Sequence, residues 1–168
     1  MLALGLKNAS HVVAAEIKES VIFMIWEFDG DYAFLSNFYP STIEPFDDGI
    51  RYPTVEHAFQ AAKTTNIAIR KNIASQPTPG KAKYIGRHVK LRPEWREARI
   101  DVMRCCLRKK FEKPELRKKL LATGNEILRE GNHWHDNYWG DCYCDKCRSI
   151  IGLNNLGKLL MKIREEIK

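Results

Sequence analysis

The sequence lacks any uninterrupted apolar run of about 18 residues, the length that a membrane-spanning helix needs. It also lacks internal repeats and low-complexity tracts, and its length of 168 residues predicts one domain of ordinary size. Charged side chains interrupt the apolar residues near the N-terminus, so a secretory signal peptide is not expected. We therefore expect no membrane among the partners, while the sequence leaves the oligomeric state open.

A fully paired set of cysteines is also missing, because the chain has five of them, an odd number. An odd count without a secretory signal favours a reducing compartment, so we expect a cytoplasmic protein. Acidic residues are fewer than basic ones, 21 against 28, which leaves a net charge of +7. This surplus attracts anions, and phosphorylated metabolites and nucleic acid both fit it, as do basic residues on solvated helix faces.

The pattern of apolar residues predicts a helix-rich α+β domain with a small, mostly antiparallel sheet. Residues 1–23 do not share this pattern and are interpreted as an N-terminal extension, which leaves residues 24–168 as the domain. Short strands are predicted over residues 25–28 and 127–130, and a hairpin over residues 42–52 around an Asp-Asp-Gly turn. Helices are predicted over residues 54–62, 67–75, 79–86, 114–124 and 155–167, with a longer one starting at residue 93.

The first motif with chemical potential is Glu56-His57-x-x-Gln60-x-x-Lys63, at the start of a predicted helix. Residues 56, 60 and 63 lie about one turn apart on the same side of that helix. A carboxylate and a cation held in this way can activate water and bind a phosphate. The same spacing is common on ordinary exposed helix faces, so the motif by itself leaves both interpretations open.

The second motif comprises residues 133–140 (HWHDNYWG), which hold two tryptophans, two histidines and an aspartate. Loops that a rigid scaffold positions often carry binding groups. Trp134 and Trp139 can stack on a flat base, and Asp136 can serve as an acid, a base or a charge stabiliser. The alternative is a loop that its aromatic side chains merely anchor in the core.

A second aromatic loop is predicted over residues 34–40 (FLSNFYP). Its central residues Ser36, Asn37 and Phe38 can hold a base and a ribose, because they combine hydrogen-bonding groups with an aromatic face. Simple packing of the aromatic side chains explains the same composition.

Three thiols, those of Cys142, Cys144 and Cys147, lie within six residues of one another. With a histidine as the fourth ligand they could bind a structural zinc ion, and His133 and His135 are the nearby candidates. Free thiols in a reducing cell are the alternative interpretation of this pattern.

Five segments with these and similar residues follow one another along the chain: 34–40 (FLSNFYP), 52–63 (YPTVEHAFQAAK), 79–87 (PGKAKYIGR), 136–140 (DNYWG) and 152–164 (GLNNLGKLLMKIR). In this order they resemble the NADAR (NAD and ADP-ribose) N-glycosidase family across most of the chain. The thiol cluster is found in only part of that family, and the segment before Met24 lies outside its pattern.

The resemblance implies a hydrolase that cleaves the N-glycosidic bond between a nitrogen base and a phosphorylated ribose, with no required cofactor. The expected partner is a phosphorylated ribosyl small molecule of the riboflavin pathway, or ADP-ribosylated guanine in nucleic acid. Two alternatives stay open: a non-catalytic module that binds ADP-ribose or NAD, and a nucleic-acid-binding domain built on the positive charge.

The resemblance also implies which side chains do the chemistry. Glycoside hydrolysis passes through an oxocarbenium-like state that a carboxylate can stabilise, so Glu56 and Asp136 are predicted to be catalytic. Lys63 is the predicted phosphate ligand, with further cations in residues 81–87 behind it. The predicted substrate-binding residues are Ser36, Asn37, Phe38, Gln60, Lys63, Lys83, Trp134 and Trp139.

Overall fold

The computed structural model describes residues 23–168, so the predicted N-terminal extension lies outside the described residues except for its last position. A 3₁₀ helix over Gly30–Leu35 precedes the first α-helix. The α-helices of this part are α1 Val55–Ala61, α2 Ile67–Ala74, α3 Pro79–Gly86, α4 Trp95–Phe111, α5 Pro114–Ala122 and α6 Asn155–Glu166. The strands are β1 Met24–Ile25, β2 Ile127–Leu128, β3 Gly131–Asn132 and β4 Asp141–Cys142.

Local sequence signals set the starts of the helices. Thr54 caps α1 by accepting a hydrogen bond from the His57 backbone N–H, and Thr78 caps α3 in the same way from Lys81. Prolines begin α3 and α5, where a missing N–H costs nothing. The predicted helix-rich α+β class is confirmed, with helix bounds within a few residues of those expected.

The predicted antiparallel pairing of the sheet is wrong. β1 pairs with β2 in parallel, β3 pairs with β4 in parallel, and the predicted hairpin retains a single antiparallel bridge between Ile43 and Tyr52. The Asp48 carboxylate organises that turn instead, because it accepts hydrogen bonds from the Ile50 N–H and the Tyr52 hydroxyl and pairs with Arg70. β2 follows β1 only after the 3₁₀ helix and five α-helices, so no tight turn imposes an antiparallel direction.

Helix α1 lies at the centre of the molecule, and all of its residues are buried. The core around it contains Tyr52, Leu35 and the apolar faces of α4 and α6. Because α1 is buried all round, its polar side chains are held inside the protein rather than in solvent. This arrangement positions the candidate site.

In the part of the chain that the structure describes, every helix is too short or too polar to cross a bilayer.

Candidate active site

A cavity of about 890 Å³ opens beside α1. Most of its lining comes from α1, from α3, from the loop after the 3₁₀ helix and from the segment that follows β2, and the rest comes from the residues after β1 and from α4. All ten residues predicted to be catalytic or substrate-binding contribute to it: Ser36, Asn37, Phe38, Glu56, Gln60, Lys63, Lys83, Trp134, Asp136 and Trp139. Segments that are far apart in sequence therefore meet at one surface, although their individual roles stay predictions.

Glu56 lies in the first turn of α1 with its side chain almost wholly buried, 5% exposed. Its backbone N–H donates to the Asn37 carbonyl at 3.0 Å, which joins the helix to the loop that precedes it. Its Oε1 accepts a hydrogen bond of 2.7 Å from Gln60 Nε2. The carboxyl group is thus fixed in direction by the next turn of the same helix.

Burial raises the pKa of Glu56, because an ionised carboxylate loses its hydration inside the protein. The cation of Lys83, the hydrogen bond from Gln60 and the cation of Lys63 act in the opposite direction. A carboxylate whose pKa is moved towards neutrality is a better proton acceptor than an ordinary surface glutamate.

Lys63 follows α1 and reaches towards the end of α3, where its Nζ donates to the Gly86 carbonyl at 3.1 Å. Burial lowers the pKa of Lys63, whereas the nearby Glu56 carboxylate raises it. Arg87 and Lys83 repel the Lys63 cation. An anion placed among these three cations would relieve their repulsion, so this end of the cavity suits a phosphate.

Gly86 allows α3 to approach α1 closely. A Cβ atom at this position would lie only 2.2 Å from Oε1 of Gln60. Any larger residue would therefore displace the Gln60 side chain that fixes Glu56. The Gly86-Arg87 pair belongs to the segment that carried the family resemblance, and packing gives a physical reason for the glycine.

The loop that follows the 3₁₀ helix forms a second part of the lining. Buried Lys110 donates from Nζ to the Ser36 carbonyl at 2.7 Å, and burial lowers the pKa of this lysine to about 7. Asn37 is buried, and its Oδ1 has no hydrogen-bond partner among residues 23–168. Phe38 is exposed at the opening, with Lys83 Nζ 5.7 Å from the centre of its ring.

The segment with the tryptophans is held by short polar contacts. Asp136 Oδ1 accepts hydrogen bonds from the backbone N–H groups of Tyr138 and Trp139 at 3.1 and 2.8 Å. Trp139 packs edge-on against Phe59 of α1, with ring centres 5.3 Å apart. Trp134 is 55% exposed and stands at the cavity opening. Trp139 therefore anchors the segment, whereas Trp134 is free to meet a ligand.

Sequence reasoning missed Glu130 as a site residue. It lies just before β3, lines the cavity, and has a buried Oε2 without a hydrogen-bond partner in residues 23–168. Its pKa is raised to about 8, first by burial and then by the Asp136 and Glu56 carboxylates, while the Lys83 cation opposes this rise. In the sequence it appeared only as the end of a predicted strand, so no local pattern marked it. The lining also includes Glu27, Asp29, Arg87, His133 and Tyr143.

The three predicted thiols come together with His135 beside the cavity. One ligand atom from each of Cys142, Cys144, Cys147 and His135 lies within 4.8 Å of all the others. His135 Nδ1 is 3.2 Å from the Cys144 Sγ and 3.4 Å from the Cys147 Sγ. The sequence left the choice of histidine open, and the structure places His135 at the thiols and the other candidate, His133, in the cavity lining. This group of side chains could hold a metal ion.

Comparisons with known proteins identify the family to which the chain belongs. The family model described as NADAR domain matches residues 24–168. N-glycosidase YbiA of Escherichia coli (strain K12) is 38% identical over 154 residues, which are 90% of this chain and 91% of that protein. The solution NMR structure of YbiA covers 87% of this chain and 84% of its own, at 38% identity and a TM-score of 0.72.

A second relative is longer. A riboflavin biosynthesis protein of Vibrio vulnificus (strain YJ016) is 33% identical over 159 residues, which are 93% of this chain but 41% of that protein. The chain thus spans less than half the length of the Vibrio protein but 91% of the length of YbiA.

Proposed function

The chain belongs to the NADAR domain family and is an N-glycosidase, and we propose that it hydrolyses the bond between a nitrogen base and a phosphorylated ribose. The observation that carries this proposal is one cavity with a buried, oriented Glu56 carboxylate close to the Lys63 and Lys83 cations. The carboxylate suits the anomeric carbon, and the cations suit the phosphate. The anomeric carbon and the phosphate are parts of the same phosphorylated ribose, so one substrate molecule can contact both sets of side chains.

In the proposed reaction, Glu56 is the general base. It accepts a proton from a water molecule whose oxygen forms the new bond to the anomeric carbon while the bond to the base breaks. The positive charge that develops on the ribose is stabilised by Asp136, whose carboxylate is aimed by the Tyr138 and Trp139 N–H groups. The raised pKa of Glu56 supports its role as the general base, because a carboxylate with a raised pKa accepts a proton from water more readily.

The proposed phosphate site lies at the end of the cavity next to α3. Lys63, Lys83 and Arg87 all line it, and their mutual repulsion favours a bound anion. A volume of about 890 Å³ is in the range that holds a nucleotide-sized ligand. The exposed rings of Phe38 and Trp134 at the opening are the proposed contacts for the base.

Two native substrates fit the proposal, and a side-by-side assay separates them. We favour a phosphorylated riboflavin-pathway intermediate, because a relative carries the name riboflavin biosynthesis protein. ADP-ribose attached to guanine in nucleic acid is the second candidate, and the exposed aromatic rings at an open rim support it. Release of ribose 5-phosphate from the first or of ADP-ribose from the second identifies the substrate. Tight binding of ADP-ribose with no release from either would indicate a binding module instead.

We also propose that the thiol cluster binds one structural zinc ion through Cys142, Cys144, Cys147 and His135. Three thiolates and one imidazole complete a tetrahedral shell, which is typical of zinc that stabilises structure rather than reacts. The hydrolysis above needs no cofactor in this scheme. A cytoplasmic location is part of the proposal, and the odd number of cysteines supports it.

A further inference from the structure

The Glu130 carboxyl group has no role in the reaction described so far, although it faces the same cavity. Its Oε2 is buried and without a hydrogen-bond partner in the part of the chain that the structure describes. A buried polar atom without a partner costs free energy, so such an atom in a ligand cavity points to a contact made with the ligand.

The backbone of Glu130 is fixed on both sides. Its N–H donates to Asn154 Oδ1 at 3.0 Å, and its carbonyl accepts from the Asp141 N–H at 2.9 Å. The neighbouring Arg129 guanidinium pairs with the Asp141 carboxylate at 3.1 Å, so this cation is engaged elsewhere. The Glu130 side chain is therefore held at the cavity by main-chain contacts and not by an ion pair.

The charges that face Glu130 come from three elements. Asp136 approaches from the loop and Glu56 from α1, and both are carboxylates, whereas Lys83 approaches from α3 as a cation. Two carboxylates and burial together disfavour a third negative charge more than one lysine favours it. The result is a carboxyl group that keeps its proton at neutral pH, since its pKa is raised to about 8.

We propose that Glu130 is the general acid of the reaction, which donates its carboxyl proton to the nitrogen of the leaving base. This inference rests on the proposed function. As the bond from the anomeric carbon to nitrogen breaks, its electron pair goes to nitrogen and takes the Glu130 proton, while water forms the new carbon–oxygen bond and gives its proton to Glu56. Exchange with solvent then returns the proton to Glu130 and removes it from Glu56.

The assignment also limits the substrate. An amino-pyrimidine or a guanine leaves as an anion unless a proton reaches its nitrogen, so a neutral acid lowers the barrier. A base that leaves from a positively charged ring nitrogen, as a pyridinium does, needs no such proton. The presence of Glu130 beside two catalytic carboxylates therefore favours uncharged N-ribosyl amines as the substrate class.

The pH dependence of kcat/KM with the riboflavin-pathway substrate and with ADP-ribosylated guanine tests the proposal. For whichever substrate is turned over, we expect wild-type kcat/KM to decline above about pH 8, and Glu130→Gln to lose about 100-fold or more at pH 7 and to lack this decline. Glu126→Gln, a change just before β2 and outside the cavity lining, is the matched control and should keep the wild-type profile. Thermal unfolding of both variants separates loss of catalysis from loss of folding.

Each result has a distinct meaning. Turnover by Glu130→Gln within about threefold of wild type, with the decline at high pH retained, overturns the general acid and leaves the proposed function intact. Failure of the wild type to release ribose 5-phosphate or ADP-ribose overturns the proposed function itself, and the acid with it. Infrared spectra without substrate examine the proton directly: a carboxyl band that titrates near pH 8 must be present in wild type and missing in Glu130→Gln.

Discussion

The two sides of the cavity are built in different ways. One side, here called the helical wall, is α1 with the adjoining Lys63, and every residue of α1 is buried. The other side, here called the loop wall, comprises residues 130–143, in which His133, Trp134 and His135 are exposed. The helical wall gains its position from packing against the core. The loop wall depends on short polar contacts and on the thiol cluster at its edge.

Because of this difference, substitutions on the two walls should have different effects on activity and folding. A polar substitution on the helical wall that keeps side-chain volume should change the chemistry and leave the position of its neighbours unchanged. A substitution that disturbs the loop wall should move Asp136 even when Asp136 itself is untouched, because the hydrogen bonds that hold Asp136 all come from the same loop. The two walls can therefore be told apart by whether activity and folding change together.

The largest effect is expected from Glu56→Gln on the helical wall. The variant keeps the volume of the side chain but cannot accept a proton from water, so we expect kcat to decline by about 10²–10⁴-fold. The melting temperature should stay within a few degrees of wild type, since a neutral amide is easier to bury than a carboxylate. Product release and thermal unfolding are measured on the same preparation. Near wild-type turnover would remove Glu56 from the reaction.

The next largest effect is expected from Cys144→Ser at the edge of the loop wall. Wild-type protein should contain about one zinc per chain, and the variant should lose it, because a thiolate ligand is removed. We expect a lower melting temperature and about tenfold lower kcat, since His135 precedes Asp136 and its displacement misplaces the carboxylate. Metal analysis, thermal unfolding and turnover are read together.

Cys105→Ser is the matched control for the thiol experiment. Cys105 lies in α4, outside the cluster, and donates a hydrogen bond to the Pro45 carbonyl that a serine hydroxyl can reproduce. It should keep both the zinc and the activity. Wild-type protein without zinc, together with a stable and active Cys144→Ser variant, would identify the three residues as ordinary thiols.

More of the helical wall than of the loop wall could be predicted from the sequence. The periodicity of apolar residues predicted α1, and regular helix geometry then placed Glu56, Gln60 and Lys63 on one side. The pocket also needs α3 close by, and only the structure shows that Gly86 makes this approach possible. Local patterns carry helix geometry well because its contacts are close in sequence.

On the loop wall the sequence located the residues but not their arrangement. Residue types indicated Trp134, Asp136 and the thiols, yet which histidine joins the thiols depends on the path of the chain. Glu130 could not be predicted as a site residue from the sequence, because its burial and its neighbours from α1, α3 and the loop become apparent only in the fold. The parallel pairing of β3 with β4 has the same origin, since it depends on contacts that no local period records.

Smaller effects are expected at Lys63 and Lys83, which line the end of the cavity next to α3, and these effects should differ between the two lysines. Lys63→Ala should raise KM by about tenfold for a phosphorylated substrate, through the loss of a charge-assisted contact, and barely change turnover of its dephosphorylated analogue. Lys83→Ala should raise KM less. Lys83 lowers the pKa of Glu56 more than Lys63 does. Its removal should therefore raise the pKa of Glu56, so that the loss of kcat/KM at low pH begins at a higher pH than in wild type. Equal loss with both substrates in Lys63→Ala would mean that this lysine serves the chemistry or the fold.

The smallest effect concerns the stability of the loop wall and needs no substrate. The pKa of Glu130 is raised in the folded protein from 4.5 to about 8, so between these values the native state holds a proton that the unfolded chain has released. Stability must then decrease as pH rises through this interval, by a few kcal/mol at most, or about 2–4 °C in Tm for each kcal/mol. Glu130→Gln lacks this proton, so the difference in Tm between variant and wild type should be constant below about pH 4.5, change in favour of the variant up to about pH 8, and stay constant above it. A difference that is flat across the whole range would show that Glu130 is ionised like a surface carboxylate. The cavity would then present three negative charges to the ribose, those of Glu130 and Asp136 on the loop wall and of Glu56 on the helical wall.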